Sequence, residues 1–471
     1  MRVKQAVAGL LAVAERLESR RLLSGNPNLL ITEGGTGFDA GTSVATDGSG
    51  NIYVAGPYSE VVNFNPNGST PVVMTSQNYS LDIFVAKYSP SGDLDWVKSM
   101  GGPGYDTVGQ MVMDSTGNLY VTGWFSDTAT FGSTQLTSEG STDAYVVKLD
   151  SSGDILWAIS MGTSGAEEGR GLAVDNVGDV YVTGTIIGEG DFDVNGSTVF
   201  NAVGSSSSFL VKLDAQSGSL DWGEELGGGY ATRARDVVAD AEGVYVTGGF
   251  DGTESFDLAE NKGVRTSRGL SDGFLAKYNP SGQLDWVRQM GGPGVDRARS
   301  VALDSQGNVL ISGIFRRHAT FSGGGNSAQL KSAGESDIFV AKFTAGGTFD
   351  WVQSIGGPGM ERPRAIAVDS SDNVYVVGGF HDTAIVANGA ASLVSRGGFD
   401  SFVAEFDSDG GYVTAQSWGG VDDDLANGVA VSNGMVYITG VFAGTANFNS
   451  GDGVDDATSN GEQDIYILTL G

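Results

Sequence analysis

The stretch Asp114-Ser-Thr-Gly-Asn-Leu-Tyr-Val-Thr-Gly123 decides the fold, because close copies of it recur along the chain. Its first half is typical of a tight turn that places Gly117 where a hairpin requires a positive φ, and its second half favours a β-strand. The closing glycines of the copies stand 67, 61, 64, 65, 65 and 62 residues apart, at Gly56, Gly123, Gly184, Gly248, Gly313, Gly378 and Gly440. The chain therefore contains seven units of about 64 residues, and such a period indicates a repeat architecture.

Each unit contains four short apolar stretches bounded by Gly, Asn, Asp and Ser, the pattern of β-strands. In the second unit the predicted strands are A at 110–113, B at 118–122, C at 144–148 and D at 155–159. Four strands in each of seven units predict an all-β, seven-bladed β-propeller. The last unit ends after strand C, whereas residues 29–35 align with a strand D. We therefore expect the N-terminal strand to complete the last blade and leave no unpaired edge.

The recurring phrases also resemble a known family. Gly-Gly-Pro-Gly-x-Asp, Asp-Ser-x-Gly-Asn-x-Tyr-Val-x-Gly and Asp-x-Phe-Val-Ala-Lys are similar to the bacterial β-propeller repeat called SBBP, over roughly residues 29–471. The resemblance implies the propeller fold, commonly in exported proteins, and implies no particular reaction. The predicted organisation is an export or targeting segment at 1–25 followed by a propeller at 26–471.

The first 25 residues differ from the rest of the chain. Arg2 and Lys4 precede an apolar run at 6–14, which is typical of a secretory signal peptide and too short to cross a bilayer. Residues 17–24 resemble the LEPR-XLL segment of large exported bacterial proteins, with Ser19 in place of the proline. The alternative is a frayed amphipathic helix. We expect an exported protein, extracellular or at the cell surface, without a transmembrane span.

The composition excludes several classes of function. The 57 acidic and 26 basic residues give a formal charge of −31, which argues against nucleic-acid binding. Cysteine is absent, so disulfides, thiolate metal sites and a cysteine nucleophile are excluded. The two histidines, His318 and His381, fall in B–C loops of adjacent blades, and no nucleophile elbow, phosphate loop or dinucleotide fingerprint is present. The sequence therefore predicts no catalytic residue and no required cofactor.

Strand A, the innermost strand of a blade, contains the candidate binding residues. Acids stand near its start in nearly every unit, at Asp39, Asp106, Glu167, Asp296, Glu361 and Asp424, with Thr232 in the fourth. Three residues later come Thr42, Gly109, Arg170, Arg235, Arg299, Arg364 and Asn427, and Arg233, Arg297 and Arg362 add basic charge to blades four to six. We expect acids and arginines to surround one mouth of the central channel. Two interpretations remain open: an Arg–carboxylate network that joins blades, or a site for an anionic ligand such as a uronate or a phosphate.

Other recurring residues have structural interpretations. The tryptophans of strand D are predicted to pack between blades: Trp96, Trp157, Trp222, Trp286 and Trp351. The aspartates before strand C are predicted to accept backbone N–H groups of the adjacent loop: Asp82, Asp143, Asp272, Asp337, Asp400 and Asp464. The Gly-Gly-x-Gly-x-Asp phrases are assigned to the crossover from strand D to the next strand A.

The connections between strands B and C run about 19 to 25 residues. Loops of this length are usually functional or contain a small hairpin. In one of them Asp191, Asp193 and Asn195 resemble the opening of a calcium loop, although Ala202 stands where the bidentate Glu would be. Calcium is therefore a possible ligand, and Asx turns are the alternative.

The predicted function is a non-enzymatic, exported or surface interaction and scaffold module. We expect a monomeric propeller that binds a protein or a glycan through the face of the B–C loops. The alternative is a hydrolase or lyase that acts on an acidic polysaccharide at the Arg-lined mouth. An enzyme would require polar residues that converge there outside the repeat pattern, whereas the acids and arginines of the sequence largely repeat.

Overall fold

The computed structural model describes residues 27–66, 68–162, 164–192, 199–202, 204–449 and 455–471. The predicted targeting segment at 1–25, with its LEPR-XLL resemblance, lies outside the described residues. The described part of the chain is all-β, with two short 3-10 turns at Gln77–Tyr79 and Ala387–Gly389 and no α-helix.

Seven antiparallel sheets surround a central channel, each with the strand order A, B, C, D from the channel outward. The strands A contact one another in succession, and the last contacts the first, so the ring is closed. In blade order, the strands A are Ser43–Thr46, Asp106–Met113, Ala166–Val174, Ala231–Asp240, Arg297–Leu303, Glu361–Val368 and Leu425–Ser432. The strands B are Ile52–Ser59, Leu119–Phe125, Val180–Ile187, Gly243–Asp251, Val309–Phe315, Val374–Phe380 and Met435–Phe442.

The two outer strands of each blade follow the same order. The strands C are Leu81–Tyr88, Asp143–Leu149, Ser207–Leu213, Asp272–Tyr278, Asp337–Phe343, Asp400–Phe406 and Asp464–Leu470. The strands D of the first six blades are Leu94–Met100, Ile155–Met161, Leu220–Leu226, Leu284–Met290, Phe349–Gly356 and Tyr412–Gly420. The predicted all-β, seven-bladed β-propeller is confirmed.

The N-terminal strand closes the ring. Leu29–Gly35 runs antiparallel to Asp464–Leu470, with Ile31 opposite Ile467, and so supplies strand D of the seventh blade. The predicted closure is confirmed. The paired ends of the chain leave no open edge between the last blade and the first, which a circular array of sheets requires.

Every B–C connection folds into a hairpin of its own. The hairpin strands are Val61–Asn63 with Val73–Thr75, Thr128–Phe131 with Thr134–Thr137, Glu189–Asp191 with Val199–Asn201, Thr253–Glu254 with Arg265–Thr266, His318–Gly323 with Asn326–Lys331, Thr383–Val386 with Ala391–Val394, and Thr445–Asn447 with Asp456–Thr458. Several pair with the end of strand D in the preceding blade, as Ile355 with Val386 and Gly419 with Asn447. The long connections are therefore fixed to neighbouring blades.

The apolar core lies between the blades. Strands B and C are buried on both faces, and one cluster joins Val121 and Val147 of the second blade to Tyr53 and Val85 of the first. The strand D tryptophans pack as predicted: Trp351 donates from Nε1 to the carbonyl of Ser408 in the next blade at 3.2 Å. Gly410, at φ +79, lies so close beneath this indole that a Cβ would come within 2.6 Å of the ring. Glycine is therefore required in this turn for two independent reasons.

The repeated turn between strands A and B forms the opposite face of the propeller. Asp114 accepts hydrogen bonds from the backbone N–H groups of Thr116 and Asn118, both at 2.9 Å. Gly117 follows with φ +87. These bonds lower the pKa of Asp114 against the opposing effect of burial. This local network explains why Asp, Gly and Asn recur at these positions.

Candidate functional site

A β-bulge at the same place in six of the seven strands A determines which side chain faces the channel. In blades three to six the register with strand B shifts at Arg170, Arg235, Arg299 and Arg364. In blades two and seven it shifts at Gly109 and Asn427. A bulge leaves one residue unpaired and changes the direction of its side chain. Four arginines of successive blades are thereby brought together.

These four arginines line two adjoining cavities along the channel. The inner cavity has a volume of about 430 Å³, and the outer cavity, on the side of the D–A crossovers, has a volume of about 560 Å³. Thr42, Gly109 and Asn427 line the remaining side of both cavities. The bulge lies two to four residues inside the start of strand A, or about 7–14 Å at the usual rise of a strand. We call Arg170, Arg235, Arg299 and Arg364 the channel ring. Cavities of this size are in the range of small-ligand sites.

The channel ring has little carboxylate compensation. Arg170 forms an ion pair with Glu168 and lies over the indole of Trp124, 5.1 Å from the ring centroid. No carboxylate of the described residues lies within 4 Å of Arg235, Arg299 or Arg364. The Nε of Arg299 is buried without a hydrogen-bond partner.

Burial and like charges change the acidity of the ring. Burial, with Arg170 and Arg299 nearby, lowers the pKa of Arg235 to about 9. Burial, with Arg364 and Arg297 nearby, lowers the pKa of Arg299 to about 10. Both lowered pKa values mean that folding disfavours the charged form of these two side chains. With pKa values of about 9 and about 10, Arg235 and Arg299 nevertheless remain charged at neutral pH.

The other three predicted arginines do not join the ring. Arg233 forms an ion pair with Asp251 of its own blade at 3.1 Å. Arg297 donates from Nε to the hydroxyl of Ser271 at 3.2 Å, and Arg362 lies over the ring of Phe399 at 4.3 Å. In the described residues, two of these seven arginines form ion pairs with carboxylates, Arg170 with Glu168 and Arg233 with Asp251. Each pair joins residues of a single blade. They therefore do not form the inter-blade network that was one of the two interpretations.

The expectation that acids surround the mouth is wrong. Asp106 is fully buried and accepts the N–H of Gly102 at 2.7 Å, while Asp424 accepts that of Gly420 at 2.6 Å. These carboxylates fix the D–A crossover to the start of strand A, because they satisfy backbone groups that the crossover would otherwise bury unpaired. Burial raises the pKa of Asp106 to about 8 and that of Asp424 to about 7.

Two residues of the site were missed by sequence reasoning. Trp124 follows a closing glycine, where other units have smaller residues, and it lines the outer cavity. Asp236 follows Arg235 and lines the inner cavity, where it accepts hydrogen bonds from Ser300 Oγ at 2.8 Å and the N–H of Val301 at 2.9 Å. Burial raises the pKa of Asp236 to about 6. The available signal was that both residues depart from the repeat.

The structure does not test the predicted calcium residues. Asp193, Asn195 and the side chain of Asp191 lie outside the described residues, so this hypothesis stays a prediction. Among the residues that are described, no group of three or more His, Asp or Glu is arranged to hold a metal ion. No described helix is long and apolar enough to cross a membrane.

Exposed apolar side chains concentrate on the face that contains the channel mouth. Tyr105, Tyr230 and Val421 lie on D–A crossovers and are 66%, 68% and 76% exposed. Tyr79 and Leu270, which precede strands C on the same face, are 82% and 70% exposed. We call Tyr79, Tyr105, Tyr230, Leu270 and Val421 the rim. On the opposite face, Val177 is the one large apolar residue of the A–B turns that the structure describes as exposed.

Comparisons with known proteins agree with this architecture. Residues 285–313 match the family model described as a beta-propeller repeat, SBBP. An uncharacterized WD repeat-containing protein of Acanthamoeba polyphaga mimivirus is 24% identical over an alignment that covers 78% of this chain and 32% of the relative. The regulatory protein FlaEY of Caulobacter vibrioides is 26% identical, with 82% of this chain and 42% of the relative covered. The chain thus spans less than half the length of these curated relatives.

Two solved structures match the chain at low sequence identity. Selenomethionine-substituted virginiamycin B lyase from Staphylococcus aureus is 8% identical, with a TM-score of 0.44 and coverage of 93% of this chain and 99% of that one. A Dyadobacter fermentans protein of unknown function is 11% identical, with a TM-score of 0.41 and coverage of 94% and 98%.

Proposed function

Because the chain is a seven-bladed β-propeller with an SBBP repeat, we propose that it is a non-enzymatic interaction module, exported or surface-exposed. In this proposal the face that contains the channel mouth, the D–A crossovers and the B–C hairpins binds a protein or a glycan. The observation that supports the proposal most strongly is the exposure of the five apolar rim residues on the same face as the mouth of a cationic channel, in a chain of net charge −31.

The composition of this face suits recognition. Exposed apolar patches on a soluble protein commonly mark interaction sites, and Tyr, Trp and Arg dominate the energetics of interfaces. The hairpins are held against preceding blades, as at the Gly101–Thr130 and Gly291–Thr320 bridges. The face is therefore preorganised, and binding to it would cost little conformational entropy.

The names of the curated relatives are compatible with the same proposal. One is described as a WD repeat-containing protein and the other as a regulatory protein. We extend to this chain only the idea of a propeller that acts through contact with a partner.

The test is a comparative capture experiment with the full chain as bait. A cell-envelope extract and a glycan array are each probed with the original chain, with a Tyr105→Ser/Tyr230→Ser variant, and with Val177→Ser on the opposite face. We expect a discrete partner that the original chain and Val177→Ser retain equally and the double variant loses at least fivefold. Equal retention by all three, or none by the original chain, would contradict the proposal.

A second candidate is a hydrolase or lyase that acts on an acidic polysaccharide at the channel mouth. The observation that favours it is that Trp124 and Asp236 depart from the repeat and line the cavities of the channel ring. Both oxygens of Asp236 are already engaged, however: Oδ2 accepts from Ser300 and Val301 of the next blade, and Oδ1 accepts the N–H of Val237. Incubation with polyuronates and sulfated glycans, followed by detection of new reducing or unsaturated ends, tests this candidate.

A further inference from the structure

The channel ring contains more positive charge than the protein neutralises. Its four guanidinium groups are accompanied by two carboxylates, those of Glu168 and Asp236. Glu168 is committed to Arg170, and Asp236 accepts hydrogen bonds from the neighbouring strand A. Arg235, Arg299 and Arg364 therefore line the same cavities with no carboxylate of the described residues within 4 Å, and Glu168 attracts Arg235 only from a greater distance.

The ring is also held in a fixed arrangement. Each arginine occupies the bulge of a strand A that is paired on both sides of the bulge with strand B. Guanidinium groups present several N–H donors in a rigid fork, which matches the oxygens of phosphate, sulfate and carboxylate groups. The Nε of Arg299 is a buried donor without a partner. Leaving such a donor unsatisfied is costly, and an oxyanion would satisfy it.

The opposite side of the same space is polar and uncharged. Thr42 and Asn427 line it, together with Gly109, which has no side chain. The Asn427 side chain donates to the carbonyl of Gly41 at 3.0 Å, so it is held in place. A ligand would therefore lie off the channel axis, towards blades four to six.

We propose that Arg235, Arg299 and Arg364, assisted by Arg170, bind a compact oxyanion that has at least two negative charges. Phosphate-type, sulfate-type and polycarboxylate groups share this chemistry. The anion enters as a free solute or as an acidic group at the end of a larger molecule. This site goes beyond the interaction face, because it needs no contact with the rim.

The test is calorimetric titration of the full chain with inorganic pyrophosphate, phosphate and citrate at low salt, with acetate as the monovalent comparison. We expect pyrophosphate or citrate to bind at least tenfold more tightly than acetate, with an affinity that falls as salt rises. Trigalacturonate provides a further arm: tighter binding than citrate assigns the site to the end of an acidic glycan, and weaker binding assigns it to a free anion.

Two variants connect the binding to the ring. Arg235→Gln/Arg299→Gln should weaken pyrophosphate binding at least tenfold, whereas Arg317→Gln, an exposed arginine outside both cavities, should leave it within twofold. Arg299→Lys keeps the charge and loses the fork, so it should weaken binding by a smaller factor. The Tyr105→Ser/Tyr230→Ser variant should bind pyrophosphate normally, which separates this proposal from that of the interaction face. Equal affinity for acetate and pyrophosphate, or an unchanged affinity in the folded double variant, would overturn it.

Discussion

Replacing Arg299 by Gln should stabilise this protein, although most substitutions near a core destabilise. The side chain has no carboxylate within 4 Å in the described residues, and the charged groups that act on it are other arginines, first among them Arg364 and Arg297. Burial and these like charges lower its pKa to about 10. That change from the ordinary range of arginine corresponds to roughly 3 kcal/mol by which the folded state disfavours the charged form.

The measurable gain is smaller, because channel water and salt screen the charges. We expect the free energy of unfolding to rise by about 1–2 kcal/mol at low salt. In a domain of this size that is a rise of roughly 1–4 °C in Tm. The assay is scanning calorimetry in a low-salt buffer without multivalent anions.

The control for this measurement is Arg317→Gln. It changes the net charge of the chain by the same single unit, from an exposed position outside the channel. The Tm of Arg299→Gln should exceed that of this control, and the difference should shrink at high salt. A Tm for Arg299→Gln below both the control and the original chain would refute the reasoning, because it would show that Arg299 makes a favourable contact in the folded state.

Three further predictions concern the propeller itself. Burial raises the pKa of Asp106 to about 8, whereas an aspartate in the unfolded chain loses its proton at about pH 4. The free energy of unfolding should therefore fall as the pH rises from about 4 to about 8. Asp106→Asn should flatten the dependence of Tm on pH; an unchanged slope would contradict this. Ile31→Ala in the closing strand should cost about 2 kcal/mol, measured by denaturant unfolding, whereas Leu156→Ala, on an exposed position of another strand D, should cost well under half of that. Trp351→Phe removes the hydrogen bond to the next blade and should cost about 1 kcal/mol more than Trp96→Phe, since the Trp96 Nε1 has no partner in the described residues. Equal losses of Tm in the two variants would contradict the role of Trp351 in joining the blades.

The channel ring poses a physical question that the propeller fold alone does not answer. Burial and like charges disfavour the charged forms of Arg235, Arg299 and Arg364 in the folded state. The closed propeller does not require arginines there, since blades one, two and seven have Thr42, Gly109 and Asn427 at the same position. Residues that conflict with stability are found mainly where function requires them. An anion bound between these arginines would replace the repulsion among their guanidinium groups with attraction to the anion.

The amino-acid sequence by itself determined the number of blades, the four strands of each blade and the closure by residues 29–35. These features depend on local chemistry: the alternation of apolar residues, and turns in which Asp114 and Gly117 satisfy their own backbone. It also determined the packing role of the strand D tryptophans, because an apolar ring on an outer strand has only the next blade to contact. None of these inferences required the distance between two residues far apart in the chain.

The tertiary structure alone decided what the recurring spacing of acids and arginines does. Both sets recur three residues apart on strand A, and the sequence placed them together at the mouth. The β-bulge separates them: it turns Arg299 into the channel, while Asp106 and its equivalents remain buried beneath the crossovers. A bulge is a property of the register between two strands, and the partner of a charge depends on which blades are adjacent. The bulge arises only when the strands of a blade pair, and the charge partners are set only when the blades pack together, which is why the period of the sequence could not reveal either.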